Sequence, residues 1–104
     1  MIKNSFDLSG LTIIKDEFIS FDLPIEKQVD ELCEDMFQAI KINVDKIALD
    51  IGWYSNATEL NGEFVLYLIK NDDWDNPLVR ISTNDLVVLK YYIKTAITFI
   101  KEIN

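Results

Sequence analysis

Hydrophobic positions along this chain change period three times, and each change marks an expected element. Residues 46–54 alternate, with Ile47, Leu49, Ile51 and Trp53 on one side and Ala48, Asp50, Gly52 and Tyr54 on the other. That period of two is the pattern of a strand with one buried face. Phe64-Val65-Leu66-Tyr67-Leu68-Ile69 is apolar on both sides, as a central strand is. Asn61-Gly62 precedes it and predicts a tight turn. After the polar stretch Asn71 to Pro77, Leu78-Val79-Arg80-Ile81 supplies a third short strand. The middle of the chain therefore predicts an antiparallel meander.

Two segments carry the helical period instead. In the first, Asp22-Leu23-Pro24 offers a capping carboxylate and a proline pre-set for the first turn. Ile25, Val29, Leu32, Cys33, Met36, Phe37 and Ile40 follow at spacings of three and four, which predicts a surface helix with one apolar face. Its outer side would carry Glu26, Asp30, Glu31, Glu34 and Asp35. In the second, Ser82 and Asp85 have the spacing of a capping box, with Asp in place of Glu. Leu86, Leu89, Ile93, Ala96, Ile97, Ile100 and Ile103 form its stripe, and Val88, Tyr92 and Phe99 widen it. Lys90, Lys94 and Lys101 read as its solvated edge. Ahead of these, Ser9-Gly10 is a turn signal, and Leu11–Ile14 and Phe18–Phe21 read as one or two short strands. The expected fold is α+β over a single domain, residues 1–104: a three- to four-stranded antiparallel sheet with two amphipathic helices packed on one face.

Charge changes the picture next. The chain has 18 acidic residues against 10 basic ones, a net charge of -8, and no histidine. The acids are spread through a chain that is 49% hydrophobic, so they describe a negative surface on a packed domain rather than a disordered acidic tail. Without imidazole, no side chain has an unperturbed pKa near neutrality, which argues against an enzyme. No apolar run suggests a membrane span, and the N-terminus lacks the layout of a signal peptide; a cytoplasmic protein is expected. The lone Cys33 cannot form an intramolecular disulfide. It sits among Leu32, Met36 and Phe37, where a buried thiol is expected.

These residues complete none of the common catalytic or metal-binding patterns. A calcium loop starting at Asn71 would use Asp73 and Asp75, but its sixth position is Asn76 and its twelfth is Ser82, so both structural requirements fail. Asp50 and Glu63 could meet across neighbouring strands as a carboxylate pair, yet no Lys stands at nuclease spacing. Glycine occurs only at 10, 52 and 62, which leaves no phosphate-binding loop. One Cys and no His exclude the usual zinc ligand set. Net negative charge disfavours nucleic acid. No catalytic residue, metal or cofactor is expected.

What remains is a surface suited to a basic partner. Asp72, Asp73, Trp74 and Asp75 place an aromatic residue among acids, the composition of an interface anchor. Tyr54 ends a strand beside the loop containing Glu59. In a meander the loops at 54–61 and 71–77 lie at opposite ends of the sheet. An interface using both would cross the sheet face through Asp50, Glu63 and Tyr67. The helix acids Asp30, Glu31 and Glu34 offer a third surface.

Leu49-Asp50-Ile51-Gly52-Trp53-Tyr54, Asn61-Gly62-Glu63-Phe64 and Asn71-Asp72-Asp73-Trp74-Asp75-Asn76-Pro77-Leu78 together resemble the immunity proteins of bacterial contact-dependent growth inhibition and related polymorphic toxin systems. The resemblance implies a cytoplasmic inhibitor that binds the C-terminal domain of a cognate toxin, often a basic nuclease and frequently a ribonuclease. It implies a monomer in a 1:1 complex that covers the active-site cleft with acidic residues. The partner-binding set is then Asp72, Asp73, Trp74, Asp75, Glu59, Glu63, Asp50 and Tyr54. The alternative on charge alone is an acidic DNA mimic or adaptor that binds a DNA-binding protein.

Overall fold

The computed structural model describes residues 2–55 and 62–103. In chain order the strands are β1 (Thr12–Asp16), β2 (Phe37–Ile42), β3 (Lys46–Ser55), β4 (Gly62–Lys70) and β5 (Val79–Thr83), followed by the helix α1 (Leu86–Glu102). They form one antiparallel sheet in the order β1-β2-β3-β4-β5. The architecture is α+β, as the periodicity predicts. The sheet has five strands rather than three or four, and one α-helix rather than two among the described residues.

The difference lies in residues 22–42. Two separate 3-10 turns, Ile25–Lys27 and Val29–Glu31, stand where a continuous helix was expected. Gln28 divides them. Its side-chain Oε1 accepts from the Ser20 backbone N–H at 2.9 Å, and its Nε2 donates to the carbonyls of Ser20 at 2.7 Å and Leu23 at 2.9 Å. This nearly buried amide is thus fully engaged in holding the preceding turn. Asp22 makes no capping bond for the first 3-10 turn, whose N-cap is Pro24. Beyond the turns, Phe37-Gln38-Ala39-Ile40 alternates and pairs with β3 as a strand. The buried reading of Cys33 fails with the helix: its thiol is exposed.

The N-terminal segment differs less. A 3-10 turn at Ile2–Asn4 opens the chain, and β1 covers Thr12–Asp16 instead of 11–14. Phe18–Phe21 forms no strand, yet Phe18 and Ile19 are buried. Asp16 ties this segment down by accepting from the backbone N–H groups of Ile2 and Lys3, each at 2.9 Å.

Alternation divides the sheet into two faces. Phe37, Ala39, Ile47, Leu49, Ile51, Trp53, Phe64, Leu66 and Leu68 face inward. They pack against Leu89, Ile93, Ala96, Ile97 and Ile100 of α1 and against Ile2, Leu8, Phe18 and Ile19. An aromatic series crosses this core from Trp53 to Phe64, Phe18, Phe21 and Phe6, with successive ring centroids 4.8, 5.8, 5.1 and 6.0 Å apart.

Both ends of α1 are capped by side chains. Asp85, not Ser82, is the N-cap, and its carboxylate accepts from Val87 N–H at 2.8 Å and Val88 N–H at 3.2 Å. At the other end, Lys41 of β2 reaches up from the inner face. Its Nζ donates to the carbonyls of Ile100 at 3.1 Å, Lys101 at 3.4 Å and Ile103 at 3.0 Å. A cation there satisfies carbonyls left without helical partners and complements the helix dipole. Among the described residues no helix is long and apolar enough to cross a membrane.

Candidate functional site

The outer face of the sheet carries the most perturbed carboxylate among the described residues. Strand register places Asp50 of β3 between Gln38 of β2 and Tyr67 of β4. Tyr54 stands opposite Glu63, and Tyr67 opposite Arg80. Asp50 is 8% exposed although it lies on the face away from the core. The hydrogen bond to its carboxylate comes from Gln38 Nε2 at 3.3 Å. Burial pushes the Asp50 carboxyl up to about 6 from its ordinary 3.8; the nearby charge of Asp35 adds to the rise, and the Gln38 bond opposes it.

A glycine positions this arrangement. Trp53 N–H donates to the Cys33 carbonyl at 2.7 Å, and Met36 N–H donates to the Ile51 carbonyl at 3.1 Å. Glu34 and Asp35 lie between those two bonds and bulge over the single residue Gly52. A Cβ at position 52 would run into the Glu34 carbonyl, so only glycine admits this crossing. The bulge delivers two acids onto the outer face beside Asp50. Lys15 of β1 answers part of that charge, with Nζ 3.1 Å from Asp35 and 3.5 Å from Glu17.

Tyr54 shares the same field. Desolvation raises its phenol pKa first, and Asp50, Tyr67, Glu34 and Asp35 reinforce the rise. Those four groups are therefore its electrostatic neighbours. Tyr67 extends the face toward the far end of the sheet. Trp74 meets its ring edge-on at a centroid distance of 5.5 Å, and the Arg80 guanidinium lies 5.9 Å from its centroid. Trp74 folds back onto the sheet and still leaves 46% of its surface exposed.

The remaining acids of the 71–77 loop do other work. Asn71 and Asp72 both have left-handed backbone conformations, with φ of 52° and 61°, which Asn and Asp tolerate better than most residues. Asp72 pairs with Lys46 at 2.8 Å. Asp73 accepts from Asn76 Nδ2 at 3.3 and 3.4 Å. Asn71 Nδ2 donates to Asp45 at 2.9 Å, and Lys46 N–H donates to Asn71 Oδ1 at 3.0 Å. These bonds stitch the loop to the β2–β3 turn at one end of the sheet. Asp75 is exposed there.

Of the residues singled out in the sequence, the structure thus gathers Asp50, Tyr54, Glu63 and Trp74 on the outer face. Asp72, Asp73 and Asp75 stay at its end, and Glu59 lies outside the described residues. The expected helix face of Asp30, Glu31 and Glu34 does not exist: Asp30 and Glu31 sit on a 3-10 turn, and Glu34 belongs to the bulge. Sequence reasoning missed Asp35, Gln38 and Arg80. The alternation of 37–40 and the glycine at 52 were the signals that could have found the first two. The chain matches no family model, no curated protein and no solved structure.

Proposed function

We propose that this protein is a binding protein whose outer sheet face receives a basic protein partner, and that it acts as an immunity-type inhibitor of a toxin domain. The observation that carries the reading is Asp50. A carboxylate held in a nearly buried position, with one amide donor among the described residues and the charge of Asp35 nearby, is an incomplete ion pair. A Lys or Arg side chain from a partner would complete it. Tyr54, Tyr67 and Trp74 flank the position with aromatic surface that can pack along the stem of such a side chain. Glu34, Asp35 and Glu63 extend the negative field, and the net charge of -8 favours rapid capture of a basic cleft. Asp72, Asp73 and Asp75 stand at the end of the same face and widen the field rather than forming its centre.

The test is co-purification with the toxin domain encoded beside the gene, together with protection of cells expressing that domain. A 1:1 complex that weakens with salt is expected, because exposed charges are screened. Asp50→Ala and Trp74→Ala should each cost about 2 kcal/mol or more of binding. A salt-independent complex, or one that both variants leave intact, would overturn the reading. Recovery of a nucleoid or transcription protein instead would favour the mimic.

A further inference from the structure

On the opposite side of the molecule, α1 and the N-terminal segment enclose a groove of about 770 Å³. We propose that this groove binds a small amphipathic monoanion, an alkyl or aryl chain ending in a carboxylate. Its size lies within the range of small-molecule sites. Phe6, Phe21, Leu86 and Ile97 contribute apolar lining. Val87 and Tyr91, 66% and 68% exposed, continue it along the outward side of the helix. The α1 residues that line the groove run from 86 to 101, about 22 Å of helix. That length suits an alkyl chain laid along the helix.

Charge selects the head group. Lys90, Lys94 and Lys101 all line the groove, in a chain with only 10 basic residues. Lys101 is paired with Asp7 at 3.4 Å. Lys90 and Lys94 have no ion-pair partner among the described residues. The Lys90 Nζ instead stands 5.6 Å from the centroid of Phe21. A smaller recess of about 260 Å³ shares Lys90, Phe21, Ser5 and Asp22 with the groove and adds Asn4, Ile19 and Ser20. It places an ammonium, two hydroxyls and an amide at one end of an apolar channel, with the Asp22 carboxylate beside them. Asp7 and Asp22 temper the lysines to one net positive charge, which fits a monoanion better than a phosphate dianion. The proposal is independent of the partner face, which lies across the sheet.

The test is titration of the isotopically labelled full chain with sodium dodecanoate, followed by amide NMR. Saturable shifts are expected at residues 5–7, 20–22 and 86–101. Lys90→Gln should weaken binding roughly fivefold, the loss of one exposed charge contact. Lys70→Gln, at the far end of the sheet, should leave it unchanged, and so should Asp50→Asn. The proposal is overturned if no saturable shifts occur up to about 1 mM ligand. It is equally overturned if the shifts fall on the outer sheet face, or if Lys90→Gln and Lys70→Gln behave alike while both remain folded.

Discussion

Replacing Asp50 with Asn should make this protein more stable at neutral pH. The folded-state carboxyl titrates at about 6, against 3.8 for the ordinary group, chiefly because it is buried and secondarily because Asp35 is near. The folded state therefore holds this proton more tightly than the unfolded chain. Stability from this group is fullest below about pH 4 and is lost as pH rises through about 6. At neutral pH both states are ionised and the full penalty stands. A shift of about two units corresponds to roughly 3 kcal/mol. Residual contact with water reduces it, leaving about 1–2 kcal/mol. Asn keeps the shape and can still pair with Gln38 through a turned amide. Urea unfolding followed by tryptophan fluorescence reports the change, because Trp53 is 4% exposed in the folded state. Measured near pH 7.5, Asp50→Asn should gain those 1–2 kcal/mol over wild type, and near pH 3 the two should coincide. Other carboxylates titrate over the same range, so the difference between the proteins is the quantity to read. A variant less stable at pH 7.5, or a difference that does not change with pH, would refute the reasoning. A stabilised Asp50→Asn protein that has lost its partner would show that the carboxylate serves binding at the expense of the fold.

Three further changes probe the framework that positions this face. Gln28→Ala removes a nearly buried amide with three hydrogen bonds and should cost about 1–3 kcal/mol in thermal or urea unfolding; an unchanged midpoint would show that the 20–23 turn holds without it. Lys41→Met keeps the aliphatic stem but uncaps α1, and should cost about 1–2 kcal/mol, whereas Lys41→Arg should recover part of the loss in the same assay. Gly52→Ala drives a methyl group into the Glu34 carbonyl and should cost about 2–4 kcal/mol; a soluble variant of wild-type stability would mean that the bulge is not held as described.

The parts of this fold legible in the sequence are those where one period had no competitor. Strict alternation fixed β3, and the run from Phe64 to Ile69 could only be a covered strand. In α1 the stripe from Leu86 to Ile103 was long enough to leave no strand alternative, although the cap proved to be Asp85 one turn later than expected. Residues 22–42 were misread because two patterns overlap there. Spacings of three and four from Ile25 to Ile40 imitate a helix, while Phe37, Ala39 and Lys41 already keep the strand period. What decided between them was tertiary: Gln28 spends its amide on Ser20 and Leu23, and β3 offers β2 a complete ladder. Sequence spacing also singled out Asp50, Tyr54, Glu63 and Trp74, which register and the return of the 71–77 loop bring to one face. It could not show that Lys46 and Asn76 engage Asp72 and Asp73, because those partners are set by loop geometry. Nor could it reveal the groove, which needs Phe6 and Phe21 to meet a helix more than sixty residues away.

The two-residue alternation of the sheet also bears on how such a protein can diversify. Each strand devotes alternate positions to the shared interior and the others to the outside, so the two sets can accept substitutions almost separately. Gln38, Tyr54, Glu63, Tyr67 and Arg80 can be exchanged with little repacking of Phe37, Leu49, Ile51, Phe64 or Leu66. A few outward positions are bound by the scaffold: Gly52 beneath the bulge, the nearly buried Asp50, and Ala48, Val65 and Ile69, these three below 5% exposed. A lineage built on this scaffold could turn over its outer surface rapidly while its interior stayed fixed. Its members would then share a shape long after their sequences had ceased to resemble one another.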